Sequence, residues 1–254
     1  MNEESGRLSY QIGRVCDAIV EWRVIDLSLP LIDGISYYPG DPAVRVVGPY
    51  SALPTDTTKE YCYLLTLSTQ SGTHIQAPHY FLANGQCISE IPVSRFRSAA
   101  FVVDLTQGPA RAKEEIVLLS KMCELRGTAI IFRSGSCDHM LHGQGAEEPL
   151  SISRNGSCRS VNRRPCITME LARLLVDNKI GMVGIDAIGF EPSESPAFDV
   201  NRYLCANGIL IIEGLCRLSQ LPCNPFVLEA FPLSVIGVEG TPCRAIALVP
   251  TNGE

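Results

Sequence analysis

An α/β fold is predicted by three features of the sequence. Short apolar runs with strand character alternate with two amphipathic helical stretches, 46% of the 254 residues are hydrophobic against 19% charged, and no internal repeat or low-complexity tract interrupts them. One domain spanning residues 1–254, with 1–20 as an N-terminal extension or helix, is the economical reading for this length. That apolar fraction excludes a disordered or fibrous chain. The net charge of −6, with scattered Lys and Arg, argues against nucleic acid as a partner. MNEESGRLSY at the start carries no apolar core of a signal peptide, and no run is long enough to cross a membrane, so a soluble, cytoplasmic protein is expected. Eleven cysteines are spread through the chain without a CxxC pair, and most sit in apolar runs, so reduced thiols acting as small apolar fillers are expected.

The elements follow in order. VEWRVIDLSLPL reads as strand ending in a proline turn, and SYYPGDPAVRVV as a Pro-Gly-Asp-Pro turn leading into a second strand. CYLLTLSTQ reads as a buried strand running into a Gly-Thr-His loop, and AAFVVDLTQG as a strand closed by Gly108. Lys113 to Arg126 has helical spacing of apolar residues (Ile116, Leu119, Met122, Cys123), with Gly127 as the stop. TAIIFRSG is the next strand, and the polar stretch from Gly143 to Arg164, which holds the sequon at Asn155, is expected to be a long loop. Thr168 can cap a second helix, MELARLLVDN, which feeds the strand IGMVGIDA. NGILIIEGL, PLSVIGVE and CRAIALVP complete the strands.

Four histidines can be weighed one by one. His74 and His79 lie in TQSGTHIQAPHYF, where a strand end meets a loop, a common place for a site. His139 and His142 stand beside Cys137 and Asp138 in a loop with no second half of a metal site, and a solvated loop is the expectation there. Glu213 follows four apolar residues in ILIIEGL, and a carboxylate at the buried end of a strand is either ion-paired or functional. Cys62 and Cys216 flank this region and are expected to be buried fillers.

Four stretches together resemble the cyclase family of hydrolases, which includes bacterial kynurenine formamidases and isatin hydrolases. IDLSLPLIDGISYYPGDP is similar to the family's opening strand and Tyr/Trp-Pro-Gly-Asp turn. SGTHIQAPHYFLANGQCISEIP resembles its His-x-Gly-Thr-His-x-Asp-x-Pro-x-His-Phe signature. VGIDAIGFEPSE with FDVNRYLCANGILIIEGL is similar to its Gly-Ile-Asp and His…Glu segments, and VIGVEGTPCRAIAL to its closing Gly-Asp-Gly-Ser-Pro-x-Arg-Ala. The likeness covers the chain from about Ile25 to Leu248 in family order. It implies a swivelling β/β/α-type domain, a homodimer or larger homo-oligomer, and a zinc or manganese ion that activates water against an amide, lactam or ester.

At the family's polar positions this chain departs from that pattern. The first signature histidine falls on Gln70, the second is kept as His74, the aspartate falls on Gln76 and the last histidine on Tyr80, with His79 one position early. The histidine twelve residues before the family's glutamate falls on Asn201, and the glutamate is kept as Glu213. Neutral amides are weak ligands for hard divalent cations, so no cofactor is expected, with zinc or manganese as the alternative. The replacements remain polar. The expectation is therefore a metal-independent enzyme that cyclises, isomerises or dehydrates a small biosynthetic substrate by acid–base chemistry. His74 or Glu213 would be its base and Tyr80 its acid, or an oxyanion donor together with Gln76. Gln70, Gln76, His79, Asn201 and Tyr38 are expected to bind substrate. The alternatives are a metal-dependent hydrolase that completes its site with His79 or the Cys137–His142 loop, and a non-catalytic relative that binds a small molecule.

Overall fold

The computed structural model describes residues 22–38, 40–50, 61–137, 166–192, 197–222 and 225–251. The strands in chain order are β1 (Trp22–Asp26), β2 (Arg45–Tyr50), β3 (Cys62–Thr66), β4 (His74–Gln76) and β5 (Arg97–Asp104). Helix α1 (Pro109–Met122) leads to β6 (Ala129–Arg133), α2 (Met169–Asp177) to β7 (Met182–Ile185), and α3 (Asp199–Ala206) to β8 (Leu210–Glu213). Strands β9 (Phe226–Pro232) and β10 (Gly240–Pro250) follow.

Eight strands form one sheet in the order β1-β10-β4-β8-β7-β6-β5-β9. Strand β10 is long enough to do three jobs. Its first residues pair with β4, its middle with β9, and its last with β1. The β9–β10 pairing therefore joins the two ends, and seven strands curl into a barrel-like ring with β1 attached outside it. Strands β5 to β8 are mutually parallel and helix-connected, as parallel pairing requires.

Alternation along the strands divides the interior into two cores. From β5, Ala100 and Val102 face a core inside the ring with Ile75, Ile131 and Ile212, whereas Phe101 and Val103 face a second core beneath the helices. There Ile116 of α1, Leu171 and Leu175 of α2 and Leu204 of α3 cover Ile130, Phe132 and Ile211 of the sheet. Strands buried on both faces must be apolar throughout, which is why AIIF, MVGI and LII read as continuous runs. Thr168 caps α2 as expected, its hydroxyl accepting from Leu171 N at 3.3 Å.

Four elements differ from the sequence expectation. CYLLTLSTQ is not a buried strand: β3 is exposed along its whole length and pairs only with β2, in a two-stranded ribbon apart from the main sheet. Tyr63, Leu64 and Leu65 are exposed despite their apolar character, and Cys62 is exposed with them. Helix α1 begins four residues earlier than expected, because Pro109 after Gly108 is a ready first helical residue, and it ends before Cys123 rather than at Gly127. PLSVIGVE is mostly a connection, and the strand before β10 is the preceding Phe226–Pro232. Helix α3 went unread, although Val200 and Leu204 lie four apart and Asn207-Gly208 marks a stop. The proposed Gly143–Arg164 loop, Asn155, His139, His142 and residues 1–20 lie outside the described residues.

Candidate active site

Strand β4 holds the centre of the site. Its three residues alternate, so that Ile75 enters the inner core while His74 and Gln76 share the opposite face. Antiparallel pairing with β8 sets His74 directly across from Glu213, the last residue of that strand. Two glycines permit this closeness. Gly214 has φ +71°, and a Cβ there would come within 2.6 Å of the Gly72 carbonyl oxygen. Thr73 ties the same turn, its hydroxyl donating to Gly214 O at 2.5 Å and accepting from Leu29 N at 2.8 Å.

A cavity of about 130 Å³ opens over this face. His74, Gln76 and Glu213 line it from the strands, Gln70 from the turn before β4, and Tyr80 from the 3-10 turn Pro78–Tyr80 after it. Asn201 enters from the first turn of α3, and Tyr38 from the β1–β2 connection. Seven of the eight residues singled out from the sequence are thus brought together. The eighth, His79, is not among the residues that line the cavity, whereas its neighbour Tyr80 on the same 3-10 turn is.

A directed chain of hydrogen bonds runs behind the site. Gln70 Nε2 donates to Glu239 Oε1 at 3.0 Å, and the Thr69 hydroxyl donates to the same oxygen. A carboxylate only accepts, so the Gln70 amide is fixed with its Oε1 toward Gln76, whose Nε2 donates to it at 2.9 Å. The other Gln76 N–H donates to His74 Nε2 at 3.1 Å, and His74 Nδ1–H donates to Gly72 O at 2.9 Å. His74 is therefore the neutral tautomer protonated at Nδ1, with its lone pair already engaged. Both amide protons of Gln76 are also used. What Gln76 has to spare in this arrangement is Oε1, a buried acceptor with no partner among the described residues.

Burial sets the protonation states. Desolvation pushes the His74 pKa down to about 4, against smaller opposing effects of the Gly72 carbonyl and the Glu239 charge. Desolvation pushes Glu213 up to about 7, aided by the charge of Glu191 and opposed by a backbone hydrogen bond from Gly189. His74 Nε2 and Glu213 Oε2 are 3.6 Å apart, a contact between a neutral imidazole and a carboxyl that is about half ionised near neutral pH. Burial, then the charges of Glu213, Asp41 and Glu239, raise the Tyr80 phenol to about 12, so it stays a donor. The Cys205 thiol is pushed up to about 12 by burial and by Glu213, which disqualifies it as a nucleophile.

Sequence reasoning passed over Asp41, Glu191 and Glu239, although all three lie in the stretches that carry the family likeness. Glu191 accepts from Val200 N and Asn201 N, both at 3.0 Å, and so holds the start of α3 with Asn201 over the cavity. Among the described residues no three His, Cys, Asp or Glu side chains come together as a metal-ligand set.

The fold and site define a class: an α/β domain with a barrel-like sheet and a polar cavity at the carboxyl end of a parallel strand, the usual place for a site in such sheets. The family model described as "Putative cyclase" matches residues 25–192, and the chain belongs to that family, with the β/β/α-type fold expected of it. It is 26% identical over 227 residues to a kynurenine formamidase of Bacillus cereus, covering 89% of this chain and 96% of that one. A kynurenine formamidase of Paracidovorax citrulli is also 26% identical, with the same coverage. Among solved structures, an isatin hydrolase bound to the product analogue thioisatinate superposes with a TM-score of 0.72 at 20% identity, covering 99% of this chain and all of that one. Isatin hydrolase A from Labrenzia aggregata gives 0.73 at 19% identity, covering 94% and 99%. No helix among the described residues is long and apolar enough to cross a membrane.

Proposed function

We propose that this chain is a metal-independent acid–base catalyst of the Cyclase family, acting on a small biosynthetic substrate by cyclisation, isomerisation or dehydration. The observation that carries the reading is Glu213: a buried carboxyl at a strand end, on the wall of a cavity, titrating near neutral pH. A group of that pKa exchanges protons efficiently at pH 7. Glu213 is the base in preference to His74, whose lone pair is occupied by Gln76 and whose pKa is too low.

In the step this allows, the Glu213 carboxylate takes a proton from a C–H or O–H of the substrate. The electron pair left behind either moves onto a substrate carbonyl oxygen as an enolate, or closes a ring by attacking a substrate carbonyl carbon, whose C=O π pair moves to its oxygen. The Tyr80 phenol donates a hydrogen bond to that oxygen. Glu213 then returns its proton to the oxygen after ring closure, or to another carbon in an isomerisation. Dehydration completes when the proton held by Glu213 leaves with the departing hydroxyl. His74 orients and packs against Glu213, and the chain from Glu239 holds His74.

The family implies a divalent metal, and the donor set at this site does not suit one. Glu213 is the carboxyl beside the one imidazole, whose two nitrogens are both engaged. Neutral amides flank it, and although Asp41 and Glu191 also line the cavity, no three ligating side chains come together among the described residues. Against this stands the metal-dependent hydrolase reading, which the formamidase and isatin hydrolase relatives favour. Elemental analysis and chelation separate the two. Metal well below one equivalent per chain, with turnover unaffected by EDTA and lost in His74→Ala and Glu213→Ala, is expected. Near-stoichiometric zinc or manganese, with activity lost on chelation and restored by the metal, would overturn the proposal.

A homo-oligomer is part of the same reading. The β2–β3 ribbon exposes Val47, Tyr63, Leu64 and Leu65, apolar surface of the kind that a second copy covers.

A further inference from the structure

The cavity is lined by hydrogen-bond acceptors and negative charge, with little to receive an anion. Three carboxylates border it: Asp41, Glu191 and Glu213. Glu239 lies directly behind Gln70. No Lys or Arg lines it among the described residues, and its one imidazole is held neutral by the Gln76 amide on its Nε2. Arg202, on α3, is engaged elsewhere: Nε donates to Ala197 O and Nη1 to Phe81 O, with its guanidinium 6.0 Å from the centroid of the Phe81 ring.

A second, independent observation points to the ligand. Two buried side-chain atoms of the lining have no partner among the described residues, Gln76 Oε1 and Asn201 Oδ1, on residues 2% and 3% exposed. Both are acceptors, and the Gln76 assignment is fixed by the donors running from Gln70 to Glu239. Unmet buried acceptors are costly, so a ligand rich in N–H donors would complete them. The rim adds aromatic faces from Tyr38, Tyr80, Phe81 and Phe198. Phe198 adopts a left-handed backbone (φ 56°), unusual for a bulky residue, and Phe81 lies 5.7 Å from it. Aromatic faces together with carboxylates are a recognised way to hold an organic cation.

We infer that the substrate bound here carries a protonated amine, its N–H groups directed at the acceptors of Gln76 and Asn201 and its charge at Glu213 and Asp41. The inference rests on the reading of this cavity as the active site. The amine is held beside the base, so the proton removed by Glu213 belongs to a centre near it, whose acidity the positive charge increases.

The test uses three probes of one shape on the full-length, EDTA-treated protein: phenethylammonium, 2-phenylethanol and 3-phenylpropionate, titrated calorimetrically at neutral pH and moderate salt. The ammonium is expected to bind at least about tenfold more tightly than either of the others. Asp41→Asn is expected to weaken it several-fold while leaving the alcohol unchanged, and rising salt to weaken the ammonium alone. Equal or tighter binding of the carboxylate, or no binding of the ammonium at millimolar concentration, would overturn the inference. So would zinc or manganese binding stoichiometrically and displacing the ammonium, because the spare acceptors would then belong to a metal. The proton-transfer reading fails separately, if Glu213 titrates in the ordinary carboxylate range, and that result leaves the probe series to be read on its own.

Discussion

Replacing Glu213 by Gln tests whether burial, rather than an ion pair with His74, governs the site. Glu213 has its pKa raised from 4.5 to about 7, with desolvation as the leading cause. A carboxyl raised in the folded state binds its proton more tightly there than in the unfolded chain. Its effect on stability is therefore absent below about pH 4.5, and the folded state loses ground as pH rises through 4.5 to 7. At about 1.4 kcal/mol per pH unit the full penalty is about 3 kcal/mol, nearly all of it present at pH 8 and about 1 kcal/mol at pH 5. Glutamine keeps an oxygen that can accept from Gly189 and has no charge to desolvate. Glu213→Gln should therefore be more stable than the parent at pH 8 by about 3 kcal/mol, shrinking to about 1 kcal/mol at pH 5. Urea denaturation of both proteins at matched concentration, across pH 5 to 8, measures the difference, and the separate titration of His74 largely cancels in it. A difference independent of pH, or a variant less stable at pH 8, would refute the reasoning and restore a stabilising ion pair.

The remaining predictions concern the parts that support this group. Turnover should rise with pH through a single ionisation near 7, as Glu213 becomes a base, and stay level until the Tyr80 phenol ionises near 12; a pH–rate profile shows this. Glu239→Ala frees the Gln70 amide, and the ¹⁵N shift of His74 Nε2 should move as its hydrogen bond from Gln76 loosens, while Glu239→Gln, still an acceptor, retains it and Gly72 O holds the Nδ1–H in both. Gly214→Ala must place a Cβ against the Gly72 carbonyl in a left-handed conformation. A loss of more than about 2 kcal/mol, read as a fall in Tm of at least about 4 °C, is expected. Light scattering tests the proposed homo-oligomer: the parent should exceed the monomer mass, and Leu64→Asp with Leu65→Asp should bring it to that of a monomer without unfolding the main sheet.

The fold was largely legible because its parallel strands are buried on both faces and must be apolar, as in AIIF and MVGI. Where burial and apolarity part company, the sequence misleads. The strand β3 has the composition of a core strand and lies exposed, paired only with β2. In the site, His74, Glu213 and Tyr80 could be placed by their position in a recognisable pattern. His79 could not, since one residue on a short turn decides whether a side chain faces the cavity or leaves it. Glu239 was invisible for a different reason. It lies 165 residues from His74 in sequence and acts through two glutamines, and such a chain exists only once β10 pairs with β4. The hydrogen-bond direction that makes His74 a poor base is likewise a property of the assembled network.

The central claim is that Glu213 is a proton-transfer group tuned chiefly by burial, and ¹³C NMR of the glutamate side-chain carboxyls in EDTA-treated protein tests it most directly. The account predicts one carboxyl resonance titrating near pH 7 that is missing from Glu213→Gln. If every glutamate titrates below about pH 5, in the ordinary carboxylate range, the claim is contradicted.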